Sequence, residues 1–118
     1  MCVIIYDENQ QQRQKLEQLL YETGVPTEIY SFDEPEQVLD HVRSEMVDAA
    51  FISMEDTYGR GFFLLKELRR MEREMNLIAV ADECRYGMEL MKARISGYII
   101  GEPTQENILE ELRNLRYS

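Results

Sequence analysis

Apolar residues gather in five short runs along the chain: Val3-Ile4-Ile5-Tyr6, Ile29-Tyr30-Ser31-Phe32, Ala49-Ala50-Phe51-Ile52, Leu77-Ile78-Ala79-Val80 and Tyr98-Ile99-Ile100. Each has the length of a strand, and hardly a charge interrupts any of them, as a strand covered on both faces requires. Between the runs, apolar positions recur at three or four: Leu16, Leu19, Leu20 and Thr23; Val38, Leu39, Val42 and Met46; Leu64, Leu65, Leu68, Met71 and Met75; Cys84, Met88, Met91 and Ile95; Ile108, Leu112 and Leu115. That spacing draws one stripe along a helix, so five amphipathic helices are expected.

Strands buried on both faces that alternate with helices predict a parallel sheet with helices on both sides, because a parallel connection needs a right-handed crossover. The architecture is (βα)5. Gly24 stands where the first helix should stop, Asp33 is the expected cap of the second helix with Pro35 just inside it, and Thr104 with Glu106 and Asn107 opens the fifth. No repeat, linker or low-complexity stretch breaks the alternation.

The 118 residues suit one domain with a core of its own, and the balance of 44% hydrophobic to 31% charged residues is that of a globular chain. Charge narrows the partners. A formal net charge of -10 opposes a phosphate backbone, so no direct nucleic-acid binding is expected. The two cysteines, Cys2 and Cys84, have neither metal-site nor disulfide-framework spacing, and no run is long and apolar enough for a membrane. The expectation is a cytoplasmic protein with reduced thiols and no membrane partner.

In open parallel sheets, ligand chemistry collects beyond the carboxyl ends of the strands. Those ends should carry Asp7 and Glu8, then Ser53, then Ala81 and Asp82, then Gly101.

With these positions fixed, the chain resembles the receiver domain of two-component response regulators, the CheY-like family. The likeness runs from Val3-Ile4-Ile5-Tyr6-Asp7-Glu8-Asn9 through Val47-Asp48-Ala49-Ala50-Phe51-Ile52-Ser53 and Gly61-Phe62-Phe63-Leu64-Leu65-Lys66-Glu67-Leu68-Arg69 to Ser96-Gly97-Tyr98-Ile99-Ile100-Gly101. It implies a flavodoxin-like fold with strand order 2-1-3-4-5, and one receiver-like domain over residues 1–118 with no output domain.

The resemblance also implies a site that departs from the family's. Receivers carry an acidic pair after the first strand, matched by Asp7 and Glu8, and a phosphate-accepting Asp after the third, where Ser53 stands. The hydroxyl residue of the fourth strand falls on Ala81, and the lysine after the fifth falls on Gly101. The proline that follows that lysine is displaced to Pro103, beyond Glu102. Tyr98 matches the aromatic residue whose rotamer tracks phosphorylation. Losing an acid and a lysine together leaves the local charge of the family site unchanged, since Asp7 and Glu8 still carry its net two negative charges. The expected pocket is therefore Asp7, Glu8 and Ser53, with no catalytic residue and no ammonium opposite.

No cofactor is expected; Mg2+ would have to rely on Asp7, Glu8, the Glu55 carbonyl and waters. Arg60, in the loop after the third strand, is the candidate counter-ion for the acids. Asp56 and Asp82 are the nearby acids that could substitute as acceptors. Met71, Met75, Met88 and Met91 read mainly as core.

The resulting expectation is a pseudo-receiver, not an enzyme, that acts through protein partners without phosphorylation of an aspartate. Its contact face would be the fourth helix, fifth strand and fifth helix, with Arg85, Lys92, Arg94, Glu106, Glu110 and Arg113, and would allow a homodimer. The alternative is an active phosphorelay receiver with a non-standard acceptor. A small-ligand flavodoxin-like module fits less well, because Asp7-Glu8-Asn9 stands where a Gly-rich phosphate loop would be.

Overall fold

The computed structural model describes residues 1–56, 58–71, 74–83 and 87–117, side chains at 88 and 89 excepted. Five strands and five helices alternate: β1 (Cys2–Tyr6), α1 (Gln10–Thr23), β2 (Glu28–Phe32), α2 (Pro35–Ser44), β3 (Ala49–Ser53), α3 (Arg60–Arg70), β4 (Asn76–Ala81), α4 (Gly87–Lys92), β5 (Gly97–Ile100) and α5 (Gln105–Arg113). The strands form one parallel sheet in the order β2-β1-β3-β4-β5, the expected flavodoxin-like arrangement.

Side chains of each strand alternate between two apolar layers, as the pleat demands. Ile4, Tyr6, Ala50, Ile52, Leu77 and Ala79 face α2, α3 and α4, where they meet Val38, Leu39, Val42, Leu64, Leu65, Leu68 and Leu90. Val3, Ile5, Ala49, Phe51, Ile78 and Ile99 face α1 and α5, meeting Leu16, Leu20, Ile108 and Leu112. β1, β3 and β4 are therefore almost solvent-free, which is why their sequences read as unbroken apolar runs.

The helix ends follow the sequence closely. Gly24 ends α1 at φ 70, a left-handed conformation that glycine adopts without a Cβ clash. Asn9 caps its start by accepting from the Gln12 N–H. Thr104 and Asn107 form a reciprocal capping box on α5. The α2 cap shifts by one: Glu34 rather than Asp33 holds that place, without a side-chain bond, and Pro35 takes the first turn.

Two readings need correction. Met71 and Met75 continue the α3 period, but the helix ends at Arg70; Met71 is its C-cap, and Met75 is buried immediately before β4. Met91 does not fill the core, since it is 78% exposed on α4. Cys84 lies outside the described residues, as do the side chains of Met88 and Glu89.

Asn76, at the buried start of β4, joins distant segments. Its amide donates to the carbonyls of Asp48 and Tyr117, and its oxygen accepts from the Ser96 hydroxyl and the Tyr117 N–H. No helix among the described residues is long and apolar enough to cross a membrane.

Candidate functional site

The carboxyl ends of β1, β3, β4 and β5 meet at a cleft of about 280 Å3. Asp7, Ser53, Glu55, Asp82 and Glu102 supply its polar wall, Lys15 leans in from α1, and Leu16, Leu19, Val80 and Pro103 supply apolar surface. Strand register places the groups, because Tyr6 pairs with Ile52 and Ser53 with Val80.

Asp7 is only 5% exposed. Its Oδ1 accepts from the Asn9 N–H at 2.9 Å, and Arg13 donates to its carbonyl at 2.8 Å. Burial pushes the Asp7 carboxyl above the usual carboxylate range; the Asn9 bond and the Arg13 charge offset this in part. Ser53, also buried, accepts from the Glu55 N–H at 3.3 Å, and the Glu55 carboxylate reaches across to the Asp82 N–H at 2.9 Å.

Asp56 does structural work that its position in the sequence did not disclose. Its two oxygens accept from the N–H groups of Arg60 and Gly61, at 3.0 and 2.6 Å, so it caps α3 from outside the helix. It also accepts from the Tyr6 hydroxyl at 3.3 Å, which, after burial, helps to raise that phenol's pKa. Gly61 is required beneath this cap, because a Cβ there would stand 1.9 Å from the Ser53 carbonyl oxygen.

Two cations stand near these acids. Arg60 pairs with Glu34 at 3.2 Å, in a groove that Glu8 of the acidic pair and Glu55 also line. An ammonium does approach the cleft: Lys15 pairs with Glu102 across its rim, with the two side chains 52% and 71% exposed. This contact joins α1 to the loop after β5, 87 positions apart, and no local pattern announces it. Asn9 was passed over as a cap of α1, although a cap-forming residue just before a helical period is the signal that finds it.

Ala81 is buried and offers no hydroxyl. Gly101 has φ 87, and its N–H donates to the Ala81 carbonyl, so any side chain at this position would require a left-handed backbone. The Tyr98 hydroxyl donates to the Glu83 carbonyl at 2.9 Å, while the ring packs against the core.

Asp7 is tied to Asn9 and Glu55 to Asp82, and among the described residues no three of His, Cys, Asp and Glu converge as metal ligands.

The sequence matches the model of the response regulator receiver domain over residues 3–113. The chain belongs to this family. It is a receiver domain of a response regulator, a signalling module of two-component systems. No curated protein matches it significantly in sequence. Among solved structures it is similar to the response regulatory domain of protein mrkE from Klebsiella pneumoniae, with 21% identity, a TM-score of 0.85 and coverage of 98% of this chain and 94% of that one. It is similar also to a DNA-binding response regulator of the LuxR family from Staphylococcus aureus, at 20% identity, TM-score 0.83 and 95% coverage of each chain. A third is the response regulator TrrA from Thermotoga maritima, in complex with Mg2+-BeF, at 19% identity, TM-score 0.81 and coverage of 95% and 96%. At these identities, the structural likeness speaks for the fold.

Proposed function

We propose that this receiver domain signals without phosphorylation of an aspartate: it turns over no substrate and works through protein contacts made by α4, β5 and α5. The observation that carries the proposal is the hydroxyl of Ser53 at the end of β3, where receivers carry their acceptor. A serine is a poor nucleophile at neutral pH without an adjacent base. The only histidine, His41, lies against Tyr30 and Phe32 on α2, away from the cleft. The Ala81 methyl and the left-handed Gly101 leave the matching positions without groups to grip a phosphoryl oxygen.

On the contact face, Lys92, Arg94, Glu106, Glu110 and Arg113 are all exposed, and Met91 and Ile100 add apolar surface. Arg85 lies outside the described residues. A homodimer through this face is part of the proposal, as is the absence of direct nucleic-acid binding by this chain.

One observation favours the other reading, an active receiver with a non-standard acceptor. The Lys15 ammonium lines the cleft and could meet an incoming anion if Glu102 released it. Asp56 is an unsuitable substitute acceptor, because both its oxygens are engaged in capping α3. Incubation with a small acyl phosphate and Mg2+, followed by intact-mass measurement, separates the two readings. An unchanged mass is expected. A stoichiometric phosphoryl adduct would overturn the proposal, and peptide mapping would assign it to Ser53, Asp82 or another residue.

A further inference from the structure

The chain carries 23 acidic and 13 basic residues, yet among the described residues one concavity is lined by cations alone of its charged groups. It opens between the C-terminal ends of α3 and α4, with a volume of about 700 Å3. Phe62, Lys66, Arg69 and Arg70 come from one stripe of α3, and Lys92 and Arg94 from the end of α4 and the turn after it.

Arg69 forms the floor. Only 8% exposed, it donates to the carbonyls of Ala93, Met75 and Arg94 at 2.7, 3.1 and 3.1 Å, which fixes a guanidinium beneath the rim. Lys66 lies over the Phe62 ring, 4.9 Å from its centroid. Among the described residues, Lys66, Lys92 and Arg94 form no ion pair. The one carboxylate paired nearby, Glu67 with Arg70, does not line the concavity.

Cations in the last turn of a helix are favoured by its dipole, and that accounts for one or two of these residues. It does not account for two helix ends and a turn converging on one hollow with an aromatic ring in its wall. We infer that this concavity is a docking site for an acidic peptide segment of a partner protein, its carboxylates meeting Lys66, Lys92 and Arg94.

A nucleic acid fits less well. Its phosphates continue at about 1.7 Å of helix axis per charge and would run off the hollow onto the acidic remainder of the surface. A short acidic segment ends where the cations end. At physiological salt, screening beyond about 8 Å lets the local cations act despite the net charge of -10. The inference stands whether or not the cleft at the opposite end of the sheet accepts a phosphoryl group.

The probe is a fluorescein-labelled peptide of about twelve residues, made of Asp and Glu with two Phe, titrated by fluorescence anisotropy. Saturable binding is expected, weakening about tenfold between about 50 and 300 mM salt. The double variant K66Q/K92Q should weaken it at least about tenfold at low salt, while K66R/K92R retains it. Both substituted side chains are exposed, and circular dichroism checks the fold. On the unaltered protein, amide shifts caused by the peptide should concentrate at residues 62–70 and 92–94. Failure to saturate at millimolar peptide, equal binding by K66Q/K92Q, shifts located elsewhere, or tighter binding of a single-stranded oligonucleotide of equal charge would each overturn the inference. The phosphoryl test reads a different site, so either result can fail alone.

Discussion

Asp7 is almost wholly enclosed, and its carboxyl holds its proton more tightly in the folded protein than in the unfolded chain. With the folded pKa raised, the stability it contributes is complete below the ordinary value of 3.8 and is lost as pH rises through the raised value. At neutral pH its charge therefore costs stability. Asp7→Asn keeps an oxygen for the Asn9 N–H and removes the charge; thermal melts should show it more stable by about 1 kcal/mol at pH 7. Near pH 3.5 the advantage should vanish; an equal gain at both values would refute the argument. Asp7, Ser53, Asp82 and Gly101 were legible as cleft residues because strand ends are legible, whereas Glu8 lines the neighbouring groove with Arg60. The roles of Asp56 and Lys15 were not, since one caps a helix from a loop and the other finds its partner at the far end of the chain.

Among the elements, α3 shows how closely packing and site geometry are linked. Its first turn rests on the carbonyl of Ser53, and only a glycine at 61 allows that approach. Gly61→Ala must push helix and strand apart, since both contacting groups are backbone, and urea denaturation should register a loss of about 3 kcal/mol. A loss under about 0.5 kcal/mol would mean that the helix is not seated as described. The strands were plain in the sequence to within a residue at either end, because apolar content tracks burial on both faces. The end of α3 was not, because Met71 and Met75 keep the helical period after the chain has turned toward β4. Asn76 escaped notice for a related reason: a polar residue at a strand's start looks like loop until the segments it joins are known.

At the scale of the molecule, the charges are unevenly distributed over a body of 31 × 30 × 26 Å. Acids crowd the cleft, cations line the hollow between α3 and α4, and both signs mix on the face of α4, β5 and α5. Mixed charge around exposed Met91 and Ile100 suits a self-complementary contact. Sedimentation velocity should show a dimer that strengthens with protein concentration and is weakened by Met91→Asp; a monomer at every concentration would remove the homodimer from the proposal.

The backbone at Gly101 limits what substitutions could build at this cleft. A lysine introduced there must adopt a sterically disfavoured twist, and an aspartate introduced at 53 by itself would crowd a buried acid. On the proposed reading, an acceptor at 53 and a lysine at 101 would therefore need the loop after β5 rebuilt as well as the two exchanges.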